Sequence, residues 1–395
     1  MAGTALTRTD VVAMLTNGAV LAGADLRGAD LRELDLSGID FTGADLTGAK
    51  LDGSSLEEAQ LTGANLKEAS IAGTFLLGAV VEPARILEAD LRGAMLAGSV
   101  LKGANLAGRD LTDCVLSDCE FQGAKFGGAV LKGTNFTSSN LEGADFKKAK
   151  LTGTLFDKAN LAKADFAGAE LLGVSFAEAS MDGTAWTGTR CERTEFAGAL
   201  LGKAVIAGVF FRACSFAGLD LSKRDLKKCD FADANFTGAD LSGTDLTSAI
   251  LARADMTGAK AKGTVLVSIS APHVNFTKAD LEGAKLSGAD LIESAFEEAI
   301  LKGADLSKTD LRRSVLKKAN LTKAHFREAR MAHADLSLAI VDGADFGNAD
   351  LLGANLHGVR ESTARWDGAN LKLVKRTDMD RLDAEAWKPP PLDKK

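Results

Sequence analysis

The side chains that could do chemistry in this chain are its histidines, cysteines and carboxylates, and none of them is spaced for catalysis. The four histidines are scattered over the second half of the sequence, and there is no C-x-x-C pair to hold a metal. Aspartate recurs so regularly that no two carboxylates stand out as an acid–base pair. A phosphate-binding loop, a dinucleotide-binding glycine motif and a nucleophile elbow are also missing. We therefore expect no catalytic residue, no metal and no cofactor, and predict that the protein is not an enzyme.

The five cysteines indicate a structural role in a reducing compartment. Each of them replaces a small or apolar residue of the repeat described below, where a thiol behaves as a small hydrophobic group. The N-terminus has no apolar leader segment, and no apolar run approaches the about 18 residues that a membrane-spanning helix needs. These features predict a cytoplasmic protein with free thiols and no membrane span. The cysteines are Cys114, Cys119, Cys191, Cys214 and Cys229.

The elements that must position these residues are set by one repeat of five residues. Every residue whose number ends in 1 or 6, from Leu21 to Leu371, is the centre of a pentad, which gives 71 pentads without an insertion or deletion. Seventy centres are apolar, and Glu361 is the exception. The residue two before the centre is Ala, Ser, Thr or Cys in 61 pentads, and the residue between them is Asp or Asn in 32. Each pentad therefore offers one small and one large group to a buried face.

A period of five fits neither an α-helix nor a long strand. It fits a short strand that turns a corner in every pentad, with the small residue and the centre on the same face. Gly is common two positions after the centre, where a type II corner needs a positive φ angle. Four corners close a square, so the sequence predicts coils of four pentads. Successive coils would stack as parallel strands about 4.8 Å apart.

The pattern A(D/N)LxG over residues 19–371 closely resembles the pentapeptide-repeat family. The resemblance implies an all-β fold, a right-handed quadrilateral β-helix (solenoid) of about 18 four-sided coils and roughly 85 Å in length. It leaves the function open, because members of the family serve different roles. Quinolone-resistance members resemble B-DNA and occupy the DNA site of gyrase. The start of the repeat, Leu-Ala-Gly-Ala-Asp-Leu behind a short helix, also looks like the pentapeptide modules of type VI secretion gene clusters.

A short helix is predicted at each end, which divides the chain into three segments. Residues 1–18 are predicted as an N-terminal capping helix with Thr9 as its N-cap. Residues 19–376 form the pentapeptide-repeat β-helix, and residues 377–395 form a C-terminal capping helix with a Pro/Lys tail. Caps are expected because the open end of a solenoid exposes strand edges that invite aggregation.

The C-terminal helix is predicted to begin with a capping box made by Thr377 and Asp380. Met379 and Leu382 would share one face of this helix, with Trp387 beside them. We expect that face to cover the last coil. In some members of the family a C-terminal helix mediates dimerisation, so the resemblance implies a homodimer as the alternative role of this helix.

The core is predicted to contain ladders of aromatic side chains, because residues four pentads apart should lie above one another. Cys191 would compensate in volume for the large centres of its own coil, and the small centres Ala261 and Ala271 would be balanced by Ile269 and Val274. One predicted ladder contains Phe136, Phe156, Phe176, Phe196, Phe216 and Phe236, and the ladder opposite it contains Phe126, Phe146, Phe166 and Trp186.

Three irregularities interrupt the pattern. Pro83 stands where a type II corner favours Gly, which predicts a distorted corner near residues 81–87. Arg109 and Arg224 occupy inward positions, where an unpaired charge is costly, so we expect a local twist that lets each guanidinium escape or pair with a carboxylate. Glu361 is the one charged centre, and Arg376 is its expected partner.

Function is predicted to lie on outward positions, and the first candidate is an apolar surface on two adjacent faces of the early coils. Outward apolar groups that cluster in this way are typical of a partner or self-association surface. We call this set the apolar patch. It consists of Phe75, Leu77, Val80, Met95, Val100, Val115 and Leu155.

The second candidate is a basic belt near the other end of the repeat. Residues 302–330 hold nine basic and three acidic residues, whereas residues 21–60 hold three basic and nine acidic ones. The belt covers all four faces and has no outward aromatic residues, so stacking on single-stranded nucleic acid is not supported. An acidic protein or a phosphate group is the ligand it would suit. The basic belt is taken as Arg312, Arg313, Lys317, Lys318, Lys323 and Arg327.

These observations predict a non-catalytic scaffold or adaptor that presents surface patches to protein partners, with a homodimer as one outcome. We expect no direct nucleic-acid binding. Two alternatives stay open. One is an accessory protein of type VI secretion that loads an effector or spike. The other is a DNA mimic that regulates gyrase, against which the modest net charge of −7 and the basic belt argue.

Overall fold

The protein is described by a computed structural model for residues 5–17, 20–80 and 88–386. The chain divides into two compact units, Met1–Val205 (unit 1) and Ile206–Lys395 (unit 2). The corner expected at Pro83, together with Trp387 and the Pro/Lys tail, lies outside the described residues.

Within each unit, residues on successive coils pair as parallel strands. Asp25 pairs with Asp45, and Asp45 pairs with Asn65, in unit 1; Asp240 pairs with Lys260 in unit 2. Each isolated pair joins residues whose numbers differ by twenty, so one coil contains four pentads. The coils of four pentads predicted from the sequence are thereby confirmed, as the all-β solenoid that the family resemblance implied requires.

In four places the paired segments are long enough to form named strands. In unit 1, β1 (Lys150–Thr152), β2 (Glu170–Leu172) and β3 (Arg190–Glu192) pair in parallel, β1 with β2 and β2 with β3. In unit 2, β4 spans Phe210–Arg212. The middle residue of each strand is buried and its neighbours are exposed, as a strand with one face in the core requires.

The pentad around Leu26 shows how most backbone N–H groups find partners. Leu26 donates to the carbonyl of Asp45 on the next coil (2.9 Å), and Gly28 donates to that of Thr47 (2.9 Å). Ala29 closes the corner by donating to the carbonyl of Leu26 (3.1 Å). Two of these bonds join neighbouring coils and the third closes the corner within a coil. Together they give the buried N–H and carbonyl groups the hydrogen-bond partners that they need.

The N–H group of the Asp or Asn residue donates to the preceding coil, as that of Asp45 does to the carbonyl of Ala24 (2.9 Å). The N–H group after the centre depends on the Asp or Asn side chain. Asp25 Oδ1 accepts from the N–H of Arg27 (3.3 Å), and Asp40 Oδ1 accepts from the N–H of Thr42 (2.8 Å). This is an Asx turn, in which the side chain supplies the acceptor that the backbone lacks. The frequent Asp and Asn therefore have a structural function beyond pointing outward.

The second residue after most centres takes a positive φ angle, as the corner geometry predicts; among the described residues Glu88, Lys203 and Thr363 are exceptions. Gly28 has a φ of 67°, but Leu338 adopts 60° at the equivalent place in its pentad. Corners with a side chain at this position store strain, because only Gly adopts the left-handed region without steric cost.

Within each unit, the rings of the predicted aromatic ladders stack on one another. In one ladder, the rings of Phe136 and Phe156 stack with centroids 5.2 Å apart, and Phe156 and Phe176 stack at the same distance. In the other ladder, Phe126 and Phe146 stack at 4.8 Å. The ladders meet edge to face, with the rings of Phe136 and Phe146 inclined at 81°. Both arrangements are favourable for aromatic quadrupoles.

The residues predicted to compensate one another in volume are buried in the core. Trp186 is buried, and its indole N–H donates to the hydroxyl of Thr184 (2.8 Å). Cys191 of the same coil is buried as well. The second compensating set is fully buried in unit 2 and consists of Ala261, Ile269, Ala271 and Val274.

Buried hydroxyls at the small position make one recurrent hydrogen bond. Thr134 Oγ1 donates to the carbonyl of Leu111 on the preceding coil (2.8 Å), and Thr154 Oγ1 donates to that of Leu131 (2.6 Å). The hydroxyl is thus satisfied inside an apolar core, which is the condition for burying it without a large cost. This explains why Thr and Ser replace Ala at the small position.

Helix α1 spans Arg8–Thr16, and its N-cap lies two residues earlier than the sequence predicts. Thr7 is the N-cap: its hydroxyl accepts from the N–H of Asp10 (3.4 Å), and Asp10 accepts from the N–H of Thr7 (2.8 Å). The prediction of Thr9 was wrong, because a cap at Thr9 would place Val12 at the position whose side chain must return the bond.

Helix α1 and the segment before it lie on the first coil. Val11 is fully buried, and the N–H of Leu6 donates to the carbonyl of Asp25 (2.8 Å). The guanidinium of Arg8 donates to the carbonyl of Arg32 (2.7 Å). These contacts supply partners to a coil edge that would otherwise be unpaired.

Helix α2 spans Met379–Ala386, and its cap also differs from the prediction. Asp378 accepts from the N–H of Arg381 (3.1 Å), whereas the hydroxyl of Thr377 accepts from the N–H of Gly358 (3.2 Å). Thr377 was wrong as the helix cap because its side chain is used to tie the chain to the preceding coil. The cap residue is therefore Asp378.

Helix α2 is held mainly by one buried histidine. His357 Nδ1 accepts from the N–H of Asp378 (3.2 Å), and His357 Nε2 lies 3.4 Å from Glu385 Oε2. Leu382 is half-buried, whereas Met379 is 61% exposed. Met379 therefore does not share the buried face predicted for it.

The last coil is less regular than the others. Glu361 begins a 3₁₀ turn (Glu361–Thr363), and its carboxylate pairs with Arg376 at 3.0 Å, which confirms the predicted partner. Trp366 stacks on Phe346 at 4.3 Å but is only half-buried. The centres of this coil are thus closer to solvent than those of the coils before it.

Candidate interaction surfaces

One edge of the apolar patch is a column of side chains on successive coils of unit 1. Phe75 pairs with Met95, and Met95 pairs with Val115. Asn135 follows Val115 in the column and separates it from Leu155. Phe75 is 45% exposed, whereas Met95 and Val115 are half-buried. The structure therefore brings these predicted residues together, with one polar interruption before Leu155.

The rest of the patch lies around a hollow in the same unit. Val80 and Val100 are exposed, and Leu77 is 64% exposed. The hollow has a volume of about 560 Å³ and is lined by residues 76–80 and 96–101. Its walls are formed by two segments that a regular coil stack would bring into direct contact.

Acidic side chains surround this hollow. Glu57 and Glu58 are exposed on the coil before it, and Glu58 leans towards it, since a Cβ built on Gly78 would lie 3.4 Å from Glu58 Cγ. Asp118 is exposed on the coil after it. Unit 1 as a whole holds 27 acidic and 19 basic residues. The apolar patch is therefore set in a negative environment.

The basic belt in unit 2 is largely neutralised by its own neighbours. Arg313 lies 3.3 Å from Glu293, Lys318 lies 3.7 Å from Glu298, and both carboxylates come from the preceding coil. Among the described residues Lys323 has no ion pair within the 4 Å that defines one. The other pairs in the belt are Arg312–Asp310 (2.7 Å), Lys317–Glu297 (3.8 Å) and Arg327–Asp345 (2.7 Å).

The pair between Arg327 and Asp345 is the most buried of these. Asp345 is 8% exposed, and it also accepts from the N–H of Gly347 (3.0 Å). The hydrogen bond from Arg327 holds the pKa of the Asp345 carboxyl below its ordinary value. Arg327 therefore stabilises the fold, and its charge is partly neutralised by Asp345.

The two inward arginines do not pair with carboxylates as predicted. Arg109 is half-buried and donates to the backbone carbonyl of Ala89 on the preceding coil. Arg224 is also half-buried, burial lowers its pKa, and its Nε is buried without a hydrogen-bond partner. A backbone carbonyl thus serves Arg109 where we expected a carboxylate, and the guanidinium of neither residue has left the coil wall entirely.

The thiols and histidines form no reactive cluster in the parts of the chain that the structure describes. All five cysteines are buried, and burial raises the pKa of the Cys114 thiol to about 12. No group of three or more His, Cys, Asp and Glu residues is arranged for a metal ion within residues 5–17, 20–80 and 88–386. None of the helices in these ranges is long and apolar enough to cross a bilayer.

Sequence reasoning did not find the hollow. The pentads run through residues 76–101 without a change of register, and every centre there is apolar. The only signal nearby is Pro83, which stands between the two walls in sequence and lies outside the described residues. The sequence analysis also missed that the frequent Asp and Asn form Asx turns, although these residues regularly stand three positions before the corner glycine.

A family profile described as pentapeptide repeats matches most of the chain. The matched residues are 16–48, 39–78, 84–119, 114–153, 154–190, 229–266, 275–313, 304–341 and 329–360. No curated protein matches the sequence.

Three solved structures illustrate the similarity. HetL, a pentapeptide repeat protein involved in heterocyst differentiation regulation from the cyanobacterium Nostoc sp. strain PCC 7120, is 25% identical, with 64% of this chain and 86% of HetL covered and a TM-score of 0.17. Rfr23 from the cyanobacterium Cyanothece 51142 is 27% identical, with coverage of 31% and 88% and a TM-score of 0.21. QnrB1, a plasmid-mediated fluoroquinolone resistance protein, is 21% identical, with coverage of 51% and 90% and a TM-score of 0.28. Scores this low say nothing about which surface this chain uses.

Proposed function

Because the chain belongs to the pentapeptide-repeat family, we propose that it is a non-catalytic binding protein that presents the apolar patch of unit 1 to another protein. The proposal rests on the position that the patch occupies. Phe75, Val80, Met95, Val100 and Val115 all stand where the pentad most often has Asp or Asn.

Each of these replacements gives up an Asx turn. The N–H groups of Leu77, Ala97 and Ser117, which an Asp or Asn side chain would cap, have no hydrogen-bond partner among the described residues. A hydrogen bond of this kind contributes about 1 kcal/mol. Exposed apolar groups at these positions therefore lower the stability of the free protein. Binding to a partner offsets that loss, since it removes apolar surface from water.

The test is the double variant Phe75→Asp with Met95→Asp. Aspartate restores the Asx acceptor at both positions, so we expect the variant to fold and to be at least as stable as the parent. We expect its association with a protein partner, or with a second copy of itself, to weaken by about tenfold or more. Light scattering detects self-association, and affinity capture with quantitative mass spectrometry detects a different partner.

The matched control is Val315→Asp with Ile340→Asp in unit 2. Both residues are exposed and stand at the same position of their pentads, 37% and 49% exposed respectively. We expect this control to leave association unchanged. Equal association of the parent and the Phe75/Met95 variant would contradict the proposal.

A DNA mimic that regulates gyrase is the second candidate, and the charge of unit 1 is what favours it. Unit 2 holds 27 acidic and 28 basic residues, so the negative charge of the chain resides in unit 1. Purified gyrase in a supercoiling assay decides this candidate. Absence of inhibition at micromolar protein removes it and leaves the binding of another protein as the proposal.

A role in type VI secretion is a narrower form of the same proposal, in which the partner is an effector or spike protein. It rests on the sequence at the start of the repeat, Leu21 to Leu31. Co-purification of a secretion component that is lost in the Phe75/Met95 variant supports it.

A further inference from the structure

Backbone hydrogen bonds that tie the coils together are missing at one place in unit 1. On one side of residues 76–80 the ladder is complete: Leu56 donates to the carbonyl of Phe75 (2.8 Å), and Val80 donates to that of Ala59 (2.9 Å). On the other side, no backbone hydrogen bond joins residues 76–80 to residues 96–100, both of which are fully described. The ladder resumes at once, because Leu96 donates to the carbonyl of Val115 (2.9 Å).

Six peptide groups are left without backbone partners by this gap. The three bonds that the register calls for would run from Leu76 to Met95, from Gly78 to Ala97 and from Val100 to Ala79, as they do between other coils. Each missing bond leaves one N–H and one carbonyl group of the described residues without a backbone partner, and all of these groups except the Met95 carbonyl belong to residues that line the hollow. An unpaired strand edge is a template for pairing with another chain.

We propose that the hollow binds an extended peptide segment of a partner protein by strand addition. The segment pairs with the free N–H groups of Leu76 and Gly78 and the free carbonyl of Ala79. Its small apolar side chains lie against Val80 and Val100. This inference rests on the proposed function, since it specifies which part of the partner protein is bound, namely an extended peptide segment.

The charge around the hollow specifies the flanks of that segment. Glu57 and Glu58 are exposed on the coil before the walls of the hollow and Asp118 on the coil after them, and none of the three has an ion pair among the described residues. Lysine or arginine on either side of an apolar segment therefore complements the site, whereas acidic flanks are repelled. In strand addition the main chain supplies affinity and alternate side chains supply specificity. Nucleic acid is excluded as the occupant by the same acidic groups.

The experiment measures fluorescence anisotropy of synthetic peptides with the full chain. The probe alternates valine and threonine between pairs of lysines. A second peptide replaces the lysines by glutamates, and a third carries N-methyl groups on alternate backbone nitrogens of the probe. We expect the lysine peptide to bind, and the other two to bind about tenfold more weakly or not at all.

Protein variants test the same contacts from the other side. We expect Glu58→Lys with Asp118→Lys to reverse the preference between the lysine and glutamate peptides. The control is Glu170→Lys with Glu178→Lys, which changes charge by the same amount elsewhere in unit 1 and should preserve the preference. Glu58 and Glu178 share a positive φ angle, so the backbone cost of Glu58→Lys is matched by that of Glu178→Lys.

Failure of this inference is distinct from failure of the proposed function. If none of the peptides binds, or if N-methylation has no effect, strand addition is overturned, even when Phe75→Asp with Met95→Asp still abolishes association with a partner. If the lysine peptide binds and is affected as expected, but that double variant has no effect on partner association, then the hollow is a peptide site and the column of Phe75 is not the partner surface.

Discussion

At the scale of single residues, each position of the pentad has its own hydrogen-bonding function. The centre donates to the next coil, the small residue closes the corner, and the Asp or Asn side chain caps the N–H two residues later. Thr at the small position adds a bond to the preceding coil. A substitution is therefore best judged by the peptide or hydroxyl group that loses its partner.

The hydroxyl of Thr134 offers a direct measure of one such bond. Thr134→Val keeps the shape of the side chain and removes the donor to Leu111, whose carbonyl still accepts from Cys114 (3.1 Å). We expect the free energy of unfolding to fall by about 1 kcal/mol. Urea denaturation measures it. No change, or a gain in stability, would show that the apolar replacement outweighs the bond.

The buried thiols predict a loss of stability at alkaline pH. Burial raises the pKa of Cys114 to about 12, and the pKa values of Cys119 and Cys229 to about 11, from an ordinary value of 9.0. The thiolate is therefore favoured only in the unfolded chain. The stabilising contribution is complete below pH 9 and is lost as the pH rises towards the folded-state values.

We expect the urea midpoint to fall above pH 9 more steeply for the parent than for Cys114→Ala with Cys119→Ala and Cys229→Ala. Alanine is the commonest residue at these positions, so the triple variant should fold. The thiols should also resist a thiol reagent until the chain unfolds. Parallel pH profiles of the parent and the variant would rule out this linkage.

The ion pair of Arg327 predicts an acid-dependent effect. Arg327→Ala leaves Asp345 mostly buried without its guanidinium partner, so we expect the urea midpoint at neutral pH to fall. The pKa of Asp345 is lowered in the folded protein, so the stabilisation is present above its ordinary value of 3.8. It disappears as the pH falls through the folded-state pKa. The midpoints of the parent and variant should therefore converge in acid, and a constant difference would contradict this account.

At the scale of elements, the aromatic ladders and the end helices determine how firmly the coils are held. An inner ring of a ladder, such as Phe156, touches rings above, below and beside it, so it is packed on several sides. The helices tie the outer coils through a few specific bonds, such as that from Asp378 to His357. Core packing of this kind is the larger contribution to stability, because buried aromatic groups remove the most apolar surface from water.

The ladder predicts a large cost for one truncation. Phe156→Ala removes a ring that stacks on Phe136 and Phe176, and the rigid coils on either side cannot collapse into the space. We expect the free energy of unfolding to fall by about 3–5 kcal/mol, whereas Phe156→Leu, which matches the commonest centre, should cost less. Denaturation of the two variants measures the difference, and equal costs would mean that the coils close around the gap.

Some features of the structure could be predicted from the sequence and others could not, depending on whether side-chain spacing or specific hydrogen bonds determine them. The four-pentad coil and the aromatic ladders follow from spacing, because a period of five places these groups at fixed positions. The pairing of Glu361 with Arg376 follows from the need of the one charged centre for a partner. The sequence could not tell the helix caps Thr7 and Asp378 from the nearby Thr9 and Thr377. Several polar residues before each helix can cap it, and the hydrogen bonds that each side chain makes in the fold determine which one does. The hollow was hidden because unpaired peptide groups leave no mark on side-chain pattern.

At the scale of the whole molecule, charge separates the two units. Unit 1 is acidic, whereas unit 2 is nearly balanced, and its basic belt is paired with carboxylates of neighbouring coils. The apolar patch was predicted from outward residues, and the structure gathers its members in unit 1. The prediction of a belt that attracts anions was weakened by the same pairing, which sequence counts of charge do not reveal.

The paired belt predicts weak binding to polyanions. We expect the full chain to pass through a heparin column at physiological ionic strength, about 0.15 M, since exposed pairs leave little free positive charge. Retention beyond that salt concentration would contradict the prediction. Glu293→Gln with Glu298→Gln, which frees Arg313 and Lys318, should increase retention and provides the comparison.

The pairing of residues twenty apart also governs how such a gene can change its length. Loss or duplication of one complete coil returns every later residue to the face it had before. Loss or gain of a single pentad shifts all later outward residues to the adjacent side of the coil, although the pattern of buried residues is kept. The fold therefore tolerates recombination that adds or removes either one pentad or one complete coil. Selection on a binding face retains only changes by complete coils.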